Sequence, residues 1–171
     1  SWQRQGDYYT RTRLQRTGMS EPDIDATMAR IAAADERLFA SAQVPPVALL
    51  DGMSAERWAF VRRNLHEDAT HDLKKLEVPV LAMWGAEDLN VNPAVNAEIY
   101  RKTVGGNHPA NRIEVIPDAS HGLLRAVPYN TQLTSEWSWF TTMRFLMEGR
   151  HAYAPGALET INEWVHARAV Q

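Results

Sequence analysis

The sequence predicts a mixed α/β fold in which a helical first part precedes alternating strands and helices. Three observations lead to this prediction. Residues 1–65 carry helix caps and apolar residues at helical spacing. Residues 78–118 contain two short apolar runs typical of parallel strands, with a helical pattern between them. Residues 157–169 return to helical spacing. We therefore divide the chain into residues 1–65 and 66–171.

Composition limits the classes of partner. The 171 residues, 44% hydrophobic and 23% charged, are enough to bury a core. A net charge of −3 with mixed signs gives no electrostatic footprint for nucleic acid or an anionic membrane, and we expect neither as a partner. The longest apolar run, residues 78–85, is too short to cross a bilayer. The absence of cysteine excludes disulfides and thiolate metal sites and leaves the compartment open.

Caps predict two helices in the first part. Ser20 and Asp23 form an S-x-x-D box at the start of "EPDIDATMARIAAADERLF", and Ser54 caps "AERWAFVRRNL". Pro45 and Pro46 interrupt the helical pattern between them. The apolar residues at helical spacing are Ile24, Met28, Ile31 and Leu38 in the first helix, and Trp58, Val61 and Leu65 in the second.

The second part predicts a strand, a helix and a second strand. Val78 to Trp84 is an apolar run without alternation, which favours a parallel strand covered on both faces. Asn92 caps a helix that begins at the following proline and ends at the glycine pair 105–106. Arg112 to Asp118 predicts the second strand, reached by a right-handed crossover.

Two further helices are predicted after the second strand. The segment "TQLTSEWSWFTTMRFLMEG" has apolar residues at roughly helical spacing, and so has Ala157 to Ala169. The apolar residues at this spacing are Leu133, Trp137, Phe140 and Met147 in the first segment, and Leu158, Ile161, Trp164 and Val165 in the second. We interpret the aromatic cluster as a packing stripe, with the wall of a substrate pocket as the alternative. The cluster comprises Trp137, Trp139, Phe140 and Phe145.

Polar residues follow both predicted strands. Glu87 and Asp88 in "GAEDLNV" follow the first strand, and His121 in "PDASHGLL" follows the second. Carboxyl ends of parallel strands meet at one edge of a sheet, so these side chains should converge. A carboxylate that accepts the Nδ1 proton fixes the imidazole tautomer and leaves Nε2 as a general base. We expect an oxygen of Asp88 within about 3.2 Å of His121 Nδ1, or somewhat further without a nucleophile, and Glu87 exposed to solvent.

Each candidate residue has a plainer interpretation. Asp88 could be a turn residue and His121 a structural histidine, but the pair in this order favours catalysis. The string "HEDATH" suggests a metal site. His66 and His71 are five residues apart, which places them on different helix faces, whereas H-E-x-x-H needs a spacing of four. We therefore predict no metal and no cofactor.

The segment "VPVLAMWGAEDLNVNP", followed by "IEVIPDASHGLL" and a C-terminal helix, resembles the last part of an α/β-hydrolase. The resemblance implies that residues 66–171 form the last two parallel strands of that core with flanking helices, and that "HEDATHDLKKL" forms the short helix before them. Residues 1–65 would then be the helical lid. It also implies that Asp88 is the catalytic acid and His121 the base, and that a small ester or similar acyl compound is the substrate.

The departure from this family is the missing nucleophile. No G-x-S-x-G occurs, and the nearest strings, "GMSEP" and "DGMSAE", lie at the predicted caps. The resemblance therefore implies a C-terminal half, and since the chain opens with Ser1 and Trp2 we expect an upstream half or self-association to complete it. An unpaired sheet edge and exposed apolar surface should remain. The alternative is a non-catalytic α/β-hydrolase-like interaction module.

Overall fold

The chain forms two compact units, Ser1–Ala69 and Thr70–Gln171, in a computed structural model that describes residues 2–46, 50 and 52–169. The described residues form eight α-helices and a two-stranded parallel sheet, which confirms the predicted mixed α/β class. The assignment of residues 1–65 as a lid and residues 66–171 as a hydrolase core stays a prediction.

The first unit is helical, as predicted. Both predicted caps are confirmed. The Ser20 side chain accepts a hydrogen bond from the backbone N–H of Asp23 at 3.4 Å, and Ser54 accepts one from Arg57 at 3.2 Å. The helices are α1 (Trp2–Arg16), α2 (Glu21–Phe39) and α3 (Ala55–Asn64).

Trp58 joins α3 to α2, and its ring stacks on that of Phe39 with centroids 6.4 Å apart. Ile24 and Trp58 are buried, whereas Met28 and Ile31 are only half-buried. The indole Nε1 of Trp58 donates to the carbonyl of Leu38 at 3.0 Å, so the buried indole N–H is satisfied. The helical spacing therefore identified the packed face of α2, although most of that face is only partly covered.

The second unit contains the sheet and five helices among its described residues. Predicted helix bounds are confirmed at α8, and Asn92 caps α5 by accepting a hydrogen bond from Val95 N–H at 3.0 Å. Short 3₁₀ turns lie at Thr134–Glu136 and Gly149–Ala152. The elements are α4 (Thr70–Leu73), β1 (Leu81–Gly85), α5 (Pro93–Val104), β2 (Arg112–Ile116), α6 (Ala126–Tyr129), α7 (Trp139–Glu148) and α8 (Ala157–Ala169).

The two strands are parallel, as predicted. Leu81 lies opposite Arg112 at one end of the ladder, and Gly85 lies opposite Ile116 at the other. The connecting helix α5 packs on both strands, and the ring of Trp84 in β1 meets that of Tyr100 in α5 edge to face at 5.0 Å. Both strands therefore end at the same edge of the sheet, where the candidate residues follow.

The strand β1 is shorter and less covered than predicted. It begins at Leu81 instead of Val78, which is 60% exposed. The Val80 N–H donates to the side chain of Asn111 at 2.8 Å and not to a strand backbone. The predicted burial on both faces is wrong, because only Ala82 and Gly85 are buried within β1. Among the described residues β1 has β2 as its one neighbouring strand, and such a strand is covered less than the interior strand of a wide sheet.

Helix α7 also differs from its prediction. It begins at Trp139, because Ser138 caps it by accepting a hydrogen bond from Thr141 N–H at 3.1 Å. The preceding Trp137 has extended backbone dihedrals, φ −70° and ψ 132°. The helix predicted from Leu133 onward is therefore wrong in its first turns.

The aromatic cluster divides between packing and exposure. Trp137 and Phe145 pack against the buried ring of Tyr129, with ring centroids 5.5 and 6.0 Å away. The packing interpretation is thus confirmed for these two residues. It is wrong for Trp139 and Phe140, which are exposed. No helix in the described part of the chain is long and apolar enough to cross a membrane.

Candidate functional site

Two loops meet at the carboxyl ends of the strands. We name residues 86–91, after β1, the acid loop, and residues 117–124, after β2, the histidine loop. They touch through backbone atoms, since Glu87 N–H donates to the Ala119 carbonyl at 2.9 Å. Gly85 permits this approach, because a Cβ at that position would lie 2.2 Å from the Ala119 carbonyl oxygen.

The loops bring Asp88 and His121 together. Oδ2 of Asp88 lies 2.9 Å from Nδ1 of His121, which confirms the predicted distance. The other carboxylate oxygen, Oδ1, accepts backbone N–H bonds from Asn90 at 2.7 Å and Val91 at 3.0 Å. The Asp88 side chain is 1% exposed, so these three contacts compensate for taking its charge out of water.

His121 is bonded at Nδ1 and is half-exposed. Its side chain is 50% exposed. The hydrogen bond that His121 donates to Asp88 raises the pKa of His121 above its ordinary value of 6.5; partial burial opposes the rise and the Asp88 charge adds to it. With Nδ1–H directed to the carboxylate, Nε2 carries the lone pair that can accept a proton. Nε2 makes no hydrogen bond to any residue in the described part of the chain.

The histidine loop is a tight turn. Ser120 N–H donates to the Leu124 carbonyl at 2.8 Å, and Leu123 N–H donates to the Ser120 carbonyl at 2.9 Å. Leu123 has φ +59° and Asp118 has φ +52°, both in the left-handed region that residues other than glycine rarely adopt. The hydrogen bonds on either side of His121 therefore hold its backbone in one place.

A third segment, residues 130–132, forms hydrogen bonds with the backbone of the acid loop. We name it the bracing segment. Asn130 Nδ2 donates to the Glu87 carbonyl at 2.9 Å, and Gln132 Nε2 donates to the Leu89 carbonyl at 2.9 Å. Gln132 is buried. The two bonded carbonyls belong to the residues directly before and after Asp88, so the bracing segment fixes the backbone that carries the acid.

The sequence reasoning missed this segment. A third bond, from Asn90 Nδ2 to the Gln132 carbonyl at 3.3 Å, joins residues 42 positions apart, and the other two bonds span 43 positions. No motif or spacing links positions so distant along the chain. The one available signal is the amide side chains themselves, which donate and accept at once and are common partners of loop backbone.

The other residues singled out in the sequence lie elsewhere or serve structure. Glu87 is exposed, as predicted. Ser20 and Ser54, from the strings nearest to G-x-S-x-G, are both helix caps. His66 and His71 are exposed. In the described ranges no group of three or more histidine or acidic side chains is placed to hold a metal ion.

The arrangement has the parts of an acid–base pair. A buried carboxylate orients a half-exposed imidazole at Nδ1, and such a pair can remove a proton from a hydroxyl group placed beside Nε2. Comparisons of the chain with protein-family models, with curated proteins and with solved structures found no match.

Proposed function

We propose that this chain carries the acid and the base of a serine hydrolase that acts on esters or similar acyl substrates. Asp88 is the acid, His121 is the base, and the nucleophilic serine comes from outside these 171 residues. The observation that carries the proposal is the 2.9 Å contact between a buried carboxylate oxygen and Nδ1 of a half-exposed imidazole. In this proposal residues 66–171 are the last part of an α/β-hydrolase core and residues 1–65 are its lid.

Each member of the pair has a defined role. His121 Nε2 takes the proton of the serine hydroxyl as its oxygen bonds to the acyl carbon. It then gives that proton to the leaving group as the old acyl bond breaks, and repeats the cycle with water. Asp88 holds the required tautomer and stabilises the imidazolium that forms. Its second oxygen is occupied by two backbone N–H groups, so the carboxylate cannot turn away.

The position of the pair along the chain supports this family over other arrangements of the same groups. Asp88 ends a G-x-x-D sequence directly after β1, and His121 lies in the loop after the neighbouring parallel strand. The acid precedes the histidine, as in the order Ser, acid, His of α/β-hydrolases. Both loops lie at the carboxyl ends of parallel strands, where open α/β sheets place their ligands.

Hydrolysis of short-chain p-nitrophenyl esters tests the proposal. The 171-residue chain and a form extended upstream of Ser1 along its gene are assayed side by side. We expect activity only in the extended form, because acyl transfer needs a nucleophile and an oxyanion hole besides the base. In that form Asp88→Asn or His121→Ala should lower kcat by about 10⁴-fold. Glu87→Gln, an exposed carboxylate next to the acid, is the matched control and should leave the rate unchanged.

Two results would contradict the proposal. Equal activity in the short and the extended form, abolished by His121→Ala, would place a nucleophile within the chain. A folded extended form without activity on any acyl substrate would favour the alternative, a non-catalytic interaction module. The exposed apolar side chains of α7 favour that alternative.

A further inference from the structure

Helix α7 turns an apolar face to solvent, which we name the α7 face. Its five side chains lie at positions i, i+1, i+4, i+7 and i+8, the spacing of a single helical face. The side of the helix that carries Phe145 packs on Tyr129, so the helix is already anchored to its own unit. The exposed fractions are 66% for Trp139, 68% for Phe140, 45% for Met143, 67% for Leu146 and 82% for Met147.

The α7 face is symmetric about its centre. The other four residues lie three and four positions before and after Met143. A two-fold axis through Met143 would therefore lay a second α7 antiparallel on the first, with Trp139 opposite Met147 and Phe140 opposite Leu146. A surface that matches itself after a two-fold rotation is what an isologous dimer interface requires. The opposed pairs are also chemically suited, because thioether and aliphatic side chains adapt to aromatic rings.

The size of the face suits a second copy. An aromatic side chain offers on the order of 150–250 Å², and with the methionines and the leucine counted at the lower end of that range these exposures leave roughly 600 Å² of apolar surface on each chain. That is the upper end of the largest patch on a typical monomer, about 300–600 Å². A standard specific interface buries about 800 Å² on each partner. The α7 face alone therefore supplies about three quarters of the area that one partner of a standard interface buries.

The charges beside the face do not oppose such pairing. Nε of Arg144 lies 2.8 Å from Oε1 of Glu148 on the same helix, and Arg125 bonds the same carboxylate. These hydrogen bonds, first that of Arg125, lower the pKa of Glu148 to about 2, so the carboxylate stays charged and paired. Arg144 is thus paired with a carboxylate of its own chain, which weakens its repulsion of the Arg144 of a second copy on the same flank.

We propose that two copies of this chain associate through the α7 face as an antiparallel, two-fold symmetric helix pair. The proposal is independent of the proposed hydrolase activity, because Asp88 and His121 lie outside α7. An upstream segment of the protein or an unrelated protein on this face are the other occupants, and the tests below distinguish them from a second copy.

Cysteine crosslinking tests the pairing directly, because the chain contains no cysteine. In a Met143→Cys chain the new thiols meet on the two-fold axis, and mild oxidation or a short thiol crosslinker should give a covalent dimer. Val165 is exposed on α8, so Val165→Cys is the matched control. It should give only the small amount of covalent dimer that random collisions produce. A mixture of Trp139→Cys and Met147→Cys chains should give more covalent dimer than either chain alone. In a parallel pairing each chain alone would give more covalent dimer than the mixture.

Sedimentation equilibrium gives the second measurement. The unmodified chain should have twice the 19.3 kDa chain mass at micromolar concentration and dissociate on dilution. Met143→Glu should give the single-chain mass with unchanged far-UV circular dichroism, while Val165→Glu should remain dimeric. A single-chain mass at every concentration, or Met143→Cys crosslinking no better than Val165→Cys, would overturn the proposal. The crosslinking result decides even if Met143→Glu fails to fold.

Discussion

At the scale of single residues, the acid loop places two consecutive carboxylates in different environments. Asp88 is buried and Glu87 is exposed. The short side chain of Asp88 reaches the N–H groups two and three residues ahead, the bonding pattern of an Asx turn, which a glutamate is too long to form. Asp88 was selected over Glu87 because of the resemblance of G-x-x-D to the acid loop of α/β-hydrolases, and the Asx turn gives a physical reason for that choice. The local sequence was not enough to predict that the imidazole would be half-exposed.

The pKa of His121 should depend on Asp88. Because the folded-state pKa is raised, the contact contributes stability that is complete below pH about 6.5 and is lost as the pH rises through the folded pKa. In Asp88→Asn we expect the His121 pKa, followed by NMR of the ring Cε1–H, to fall toward 6.5, its ordinary value. The corresponding pH dependence of the free energy of unfolding should shrink with it. An unchanged His121 pKa in Asp88→Asn, or an equal fall in Glu87→Gln, would contradict this assignment.

At the scale of elements, local signals were predictable and distant ones were not. The caps at Ser20, Ser54 and Asn92 were predicted correctly, because a cap is formed by residues three apart in sequence. The start of β1 was wrong, since the Asn111 side chain, 31 residues away from Val80, bonds the N–H that a strand partner would take. Tertiary contacts of this kind have no signature in a single sequence.

The bracing segment gives a prediction for Gln132→Leu. The substitution keeps most of the buried volume but leaves the Leu89 carbonyl without the amide that donates to it. Leaving a buried polar group unpaired costs about 1–3 kcal/mol, and because Leu89 is only half-buried urea unfolding should show a loss near the lower end of that range. The loosened acid loop should also lower the His121 pKa, though less than Asp88→Asn does.

A matched control separates this effect from a general loss of an amide side chain. Asn162→Leu removes an exposed amide from α8, and surface changes of this kind stay within about 0.5 kcal/mol. If Gln132→Leu destabilises the chain but leaves the His121 pKa where it was, the segment supports the fold without positioning the acid.

At the scale of the whole molecule, the class and order of the elements could be predicted, but the surroundings of each element could not. Periodicity distinguishes a helix from a strand, and it indicated the parallel pair and the helices around it. It does not say which surface an apolar stripe meets. The same aromatic cluster thus contains Trp137, packed on Tyr129, and Trp139, exposed on α7. The burial of a side chain depends on the residues that pack against it, and a local sequence pattern does not identify those that are distant along the chain.

The division into two units predicts that the candidate site does not need the first of them. Every contact described above for Asp88 and His121, including those of the bracing segment, lies within Thr70–Gln171. A chain reduced to residues 70–171 should therefore keep the raised His121 pKa, agreeing with the full chain within about 0.3 unit by NMR titration. Asp88→Asn in the short chain should lower that pKa as it does in the full chain. A short chain that is folded by circular dichroism but titrates at the ordinary value would show that residues 1–69 are required to hold the two loops in place.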